Sequence, residues 1–299
     1  VRLEEKGLGN GEIGMGIVGK ILRVRDLLTE ERPLRMVWRV QRGGAVSHLV
    51  GTVHFFPYKF RRALKRLMES SRVVLVEGPL DIGDLREVAR RGQEPAKGEL
   101  AGLLQAHDVE RLRAAVKSPG WARKEVLWLL PSGSSKQDVV EYAIERMRPW
   151  MAFFTLWVSH LEGKGWIYQM DKDGYDLAKK MGLELVCLES LEEQIQTLES
   201  IPLERIRDFL KAADRWSKYS DHYARLYLQG RLEELLELSA SFPSRCEQVI
   251  DRRDRVLYHR MGKYLAEGGA LAMVGTPHTR AILKWLEEDG FSLKQIEVS

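Results

Sequence analysis

The sequence predicts an α/β fold: a mixed β-sheet flanked by helices, with a large helical insertion between its N-terminal and C-terminal strands. Three observations predict it. Short apolar runs of strand length recur at residues 36–40, 73–76, 185–188 and 270–274. Between them lie longer stretches whose apolar residues fall at helical spacing. The block from about 82 to 165 carries only the helical pattern and separates one group of strands from the next.

Residues 1–33 hold six glycines, Gly7 to Gly19, and then an amphipathic stretch from Ile21 to Leu28. They are expected to form an arm or short helix ahead of one domain, residues 34–299. Met36 to Val40 and His48 to Phe56 flank Gly43-Gly44, which reads as an antiparallel hairpin with Pro57 as its stop. Arg61 to Ser70 is a helix on its spacing of Leu64, Leu67 and Met68. Val73 to Val76 runs into Glu77-Gly78-Pro79, the pattern of a buried strand. In the helical block, breakers stand at Pro95, Gly98, Ser118-Pro119-Gly120 and residues 131–135. Its most apolar helix, Pro149 to Leu161, carries Trp150, Phe153, Phe154 and Trp157 in a stripe expected to be core. A helix from Tyr175 stops at Gly182, and a strand follows from Leu185 to Leu188. Polar helices fill 191–240. A charged helix from Arg245 to Ala266 ends at Gly268-Gly269. The strand Ala270 to Val274, a helix from Thr279 to Leu286 and a strand from Ser292 to Val298 close the chain.

The 299 residues are 44% hydrophobic and 30% charged, enough to bury a core without cross-links. A net charge of +4, with no basic block interleaved with aromatics, gives no footprint of a nucleic-acid binder. Cys187 and Cys246 make no disulfide framework, and Cys187 is expected to be a small core residue. No run of 18 apolar residues reads as a membrane span, and Val1 to Arg35 lacks the apolar core of a signal peptide. The expected location is therefore cytoplasmic.

Chemistry concentrates at strand ends. His54 and His278 each stand three residues after a glycine, in Gly51-Thr52-Val53-His54 and Gly275-Thr276-Pro277-His278, where an apolar strand gives way to the next element. Ligands of open α/β sheets bind at such ends. Glu77 and Glu189 follow the apolar runs 73–76 and 185–188, where an unpaired carboxylate would be costly. If the four strands share one sheet edge, two imidazoles and two carboxylates converge, a donor set for Zn²⁺, Mn²⁺, Co²⁺ or Fe²⁺. His54, His278 and Glu77 are the candidate metal ligands. Glu77, Glu189 and Arg253 are the candidate catalytic residues. Arg253 lies in Arg252-Arg253-Asp254-Arg255, whose spacing alone favours surface ion pairing over a place in the site.

These same residues carry a resemblance to the TraB/GumN/Tiki superfamily. Leu34 to Pro57 resembles that family's opening hairpin and first Gly-x-x-His, and Val74 to Glu77 its next strand and glutamate. Arg148-Pro149-Trp150, the segment from Asp171 through Ala178 to Leu188-Glu189-Ser190 and Glu193-Gln194, Arg253-Asp254, and the second Gly-x-x-His at 275–278 follow in the family's order. The departures are Gly182-Leu183 where the family has Gly-Lys, Ser190 for Thr, and Pro277 at a position of small residues. Residues 1–33 have no counterpart.

The resemblance implies a catalytic domain over 34–299 and a metal-dependent hydrolase, most plausibly a peptidase. Tiki proteins are divalent-metal-dependent proteases, and TraB-type relatives are linked to peptide-pheromone shutdown. Erythromycin esterase and haem-linked ChaN proteins are distant relatives. The metal would generate a nucleophilic water, a Glu not fully engaged as ligand would be general base, and Arg253 would orient a carboxylate or steady developing charge. Two alternatives stay open: an esterase-like reaction without metal, with His54 as general base, and a non-catalytic protein that sequesters a peptide or other ligand. A peptide or small molecule is the expected partner, and the helical middle region offers either a substrate entrance or a homodimer surface.

Overall fold

The chain's first described segments set the sheet's direction. In the computed structural model, which describes residues 31–93, 98–116 and 138–299, β1 (Leu34–Arg42) and β2 (Ala45–Thr52) pair antiparallel around Gly43, whose φ of +58° suits a residue without Cβ. The arm expected at 1–33 falls outside the described residues except for its last three, and so do Pro95, Ser118-Pro119-Gly120 and 131–135.

Beyond the hairpin run α1 (Arg61–Glu69), β3 (Val73–Val76), α2 (Ile82–Gly92), α3 (Ala106–Ala115), α4 (Val139–Arg146), α5 (Pro149–Gly163) and α6 (Met170–Met181). Next come β4 (Glu184–Cys187), α7 (Leu191–Glu199), α8 (Leu203–Lys211), α9 (Trp216–Gln229), α10 (Leu232–Leu238), α11 (Asp251–Glu267), β5 (Ala270–Gly275), α12 (Thr276–Glu288) and β6 (Ser292–Val298). The six strands form one mixed sheet in the order β4-β3-β5-β2-β1-β6. β4, β3, β5 and β2 are mutually parallel, while β1 runs antiparallel to both β2 and β6. The fold is the predicted α/β type.

Alternation along the central strands splits the core in two. Val74, Val76, Leu271 and Met273 face a large cluster that includes residues of α1, α5, α6, α8 and α9. Val73, Leu75, Ala270, Ala272 and Val274 face a smaller one with Leu257, Met261 and Leu265 of α11 and Ile282 and Leu286 of α12. With both faces covered, β5 buries all six of its residues, which explains its unbroken apolar run. β4 differs. It is an edge strand, with its terminal residues Glu184 and Cys187 exposed, so the expectation of a core cysteine is overturned.

Two boundaries also move. β2 ends at Thr52, short of Phe56, because Val53 and Phe56 spend their backbone groups on Met170 and Tyr168. The charged helix begins at Asp251, and Arg245 precedes it in a turn. Gly182 (φ +68°) ends α6 and Gly268 (φ +82°) ends α11, as expected. Among the described residues, no helix is long and apolar enough to cross a membrane.

Candidate active site

Because β4, β3, β5 and β2 are adjacent and parallel, their carboxyl ends form one edge of the sheet. Glu189, Glu77, His278 and His54 follow these ends in that spatial order. Register places Thr52 opposite Gly275, so the two Gly-x-x-His turns lie side by side. The Thr276 hydroxyl donates to the Thr52 carbonyl at 2.9 Å and joins them. Both glycines serve close approach. A Cβ on Gly51 would stand 3.1 Å from Thr279 Cγ2, and one on Gly275 would stand 3.1 Å from Glu77 Oε1.

His278 does not project from a strand. It occupies the first turn of α12, which starts at Thr276 with Pro277 favoured there by its fixed φ. Its Nδ1 lies 2.5 Å from Asp254 Oδ1, and Nε2 lies 3.9 Å from Glu77 Oε1. His54 repeats the arrangement. Its Nδ1 is 2.7 Å from Asp171 Oδ2, in an ion pair off the hydrogen-bond line, and its side chain is 72% exposed while lining the cavity. The Asp171 charge raises the His54 pKa to about 9, with Glu77 adding to the rise and Arg253 opposing it.

Arg253 closes the other half of the edge. Its Nη2 donates to Glu77 Oε2 and to Glu189 Oε2, each at 2.6 Å, and its Nε donates to Glu189 Oε1 at 2.9 Å. Nη1 stands 3.4 Å from His278 Nε2. The Gly275 N–H donates to Glu77 Oε1. Burial alone would raise the Glu77 pKa, but Arg253, His278 and His54 together hold it far below the usual carboxylate range. Arg253 is only 14% exposed, so the surface ion pair favoured by its sequence context is corrected. The neighbouring Asp254 is buried as well.

A cavity of about 270 Å³ opens over this edge. His54, Glu77, Arg253 and His278 line its polar side. Phe154, Trp157, Val158 and Leu161 of α5 form an apolar wall, with Tyr219, Tyr223 and Phe242 beside them. The aromatic stripe expected to be core thus has two uses: Phe153 is fully buried, while Phe154 and Trp157 face the cavity. Glu189 does not line the cavity and reaches it only through Arg253.

The donors suit a divalent ion by type. Asp254 holds His278 at Nδ1 and Asp171 pairs with His54 at Nδ1, which turns each Nε2 outward as a possible ligand atom, that of His278 standing 3.4 Å from Arg253 Nη1. As they stand, however, no three His, Cys, Asp or Glu residues among those described are grouped to hold a metal. The sheet explains the spread. Strands lie roughly 4.8 Å apart, so residues on β2 and β4 start about three spacings from one another.

Asp171 and Asp254 were absent from the sequence-derived site, although a signal was there. Asp254 lies on the buried stripe of Leu257, Met261 and Leu265, and Asp171 on that of Gly174, Tyr175 and Ala178. A carboxylate on an apolar stripe implies a buried partner.

Residues 36–295 match the model of the TraB/PrgY/gumN family, a span that contains both Gly-x-x-His turns, Glu77, Glu189 and Arg253. No curated protein and no solved structure matches the chain. With the match covering most of its length and every residue of the sheet edge, the chain belongs to the TraB/PrgY/gumN family.

Proposed function

We propose that the chain is a divalent-metal-dependent hydrolase that cleaves a peptide or related acyl bond. One observation carries this: His54, Glu77 and His278 line one apolar-walled cavity, with both imidazoles paired through Nδ1 to carboxylates. His54, His278 and Glu77 would hold the ion, which supplies the Lewis acidity that makes water nucleophilic near neutral pH. Glu77, kept ionised by Arg253, suits a ligand and is too weak a base for proton abstraction. Asp171 and Asp254 fix the orientation of the two rings. Arg253 Nη1 is free of the carboxylates and stands 3.4 Å from His278 Nε2, from where it would turn to charge developing on the substrate. Glu189 positions Arg253 rather than acting as base. The aromatic wall excludes water and receives an apolar part of the substrate.

The scatter of the donors favours a second reading, with His54 as general base without metal. At a pKa of about 9, His54 carries its proton at neutral pH, so that mechanism would speed up toward alkaline pH. Elemental mass spectrometry on protein purified without added metal, combined with a peptide-library screen in Mn²⁺ or Co²⁺, separates the two. The expected result is about one ion per chain, lost in the His54→Ala/His278→Ala double variant, with turnover abolished by chelator. Turnover that is indifferent to chelator and climbs to about pH 9 would replace the metal reading with the base reading.

A further inference from the structure

Among the described residues, Arg245 is the one charged side chain lining the cavity that the proposed hydrolytic machinery leaves unused. Its Nε and Nη1 are buried, and no described group accepts a hydrogen bond from either. An arginine cannot escape such a cost by deprotonating, so two buried guanidinium nitrogens without an acceptor call for an anion. Its position is also built. Arg205 donates to the carbonyls of Ala240 at 2.7 Å, Phe242 at 2.9 Å, Pro243 at 3.2 Å and Arg245 itself at 2.9 Å, which pins the turn that carries the side chain. Binding to a group held in place this way loses little ordering entropy. The surroundings set the ligand's character. Tyr219, Tyr223 and Phe242 give the cavity aromatic sides, while Glu77 and Asp254 supply negative charge at the sheet edge. A single-charged group is therefore accepted more readily than a dianion.

We propose that Arg245 anchors a carboxylate of the substrate, so that the cavity takes a peptide or acyl compound with an apolar body and a carboxylate close to the bond cleaved. This rests on the hydrolase reading of the same cavity. It deepens that reading by naming a substrate class: a free carboxyl terminus, or an acidic side chain next to an apolar one.

The test is equilibrium binding by the full chain, which needs no turnover. N-acetyl-phenylalanine and N-acetyl-phenylalaninamide are titrated into the wild type, His54→Ala, Arg245→Met and Arg245→Lys, with acetate and inorganic phosphate as competitors. The acid is expected to bind about tenfold or more tightly than the amide, in the wild type and in His54→Ala alike. The preference should vanish in Arg245→Met and survive in part in Arg245→Lys, which also serves if the Met variant does not fold. The unliganded Met variant should melt no lower than the wild type, since it removes two buried nitrogens that have no acceptor. Equal binding of acid and amide by the wild type, no binding of the acid at millimolar concentration, a preference that persists in Arg245→Met, or stronger competition by phosphate than by acetate would each overturn the proposal. Acid preference without any turnover would remove the hydrolase reading and keep the anchor. Turnover with acid and amide bound alike would do the reverse.

Discussion

Arg253 sets one guanidinium against two carboxylates, and its removal would leave Glu77 and Glu189 buried side by side with no cation between them. Breaking a buried pair in this way costs about 3–5 kcal/mol. Arg253→Met is therefore expected to lower stability by that order in urea titration, and Arg253→Lys to recover only part, because an ammonium cannot span both carboxylates in a planar fork. The contrast with Arg245→Met, expected to cost nothing, separates a cation that is paired from one that waits for a ligand. At this scale the sequence was partly legible. His54, His278, Glu77 and Glu189 follow their strands visibly, because an apolar run that stops at a ligand-type residue is a local pattern. Arg253 is a catalytic candidate in the sequence, yet its spacing within Arg252-Arg253-Asp254-Arg255 favours surface pairing, and only the helix's rotation, which leaves Arg252 and Arg255 exposed, shows which arginine turns inward. Asp171 and Asp254 needed that same rotational reading. Arg245 carried no local signal: its isolation follows from what does not approach it in three dimensions.

Among the elements, α5 joins the core to the cavity. Twelve of its fifteen residues are buried, so its composition announced burial but could not say that part of its surface borders a void. His160, in its last turn, stacks on Trp157 with ring planes 19° apart and has Nδ1 2.9 Å from the Ala115 carbonyl. Burial lowers the His160 pKa below 6.5, so the unfolded chain binds a proton that the folded chain refuses. Stability therefore falls as pH drops through the unfolded value of about 6.5 and is fully kept above it. His160→Gln is expected to flatten the melting-temperature profile between about pH 7 and 5 relative to wild type, as read by circular dichroism. An unchanged slope would mean that the ring is protonated in the fold. Element ends were harder to place than elements. β2 stops early and α12 starts early, because contacts remote in sequence, with Met170, Tyr168 and Thr52, decide where the backbone turns.

For the whole molecule, the sheet order was the feature that sequence could not supply. Strand existence is local, but the insertion of β5 between β2 and β3 depends on which faces the helices cover. That order makes one cooperative unit of both core clusters, since β5 contributes to each. Far-ultraviolet circular dichroism and the fluorescence of tryptophans such as Trp157 and Trp166 at the cavity are expected to report a single coincident unfolding transition. Separated midpoints would show that the helical layer over the cavity melts on its own.

The central place of β5 has a temporal side. On a growing chain, β2 and β3 are made early, but the strand that must lie between them is nearly the last to emerge. Until it does, His54 and Glu77 sit on the ends of two unjoined sheet fragments, and His278 does not yet exist. The sheet edge that carries the proposed chemistry is therefore complete only once nearly the whole chain has been made.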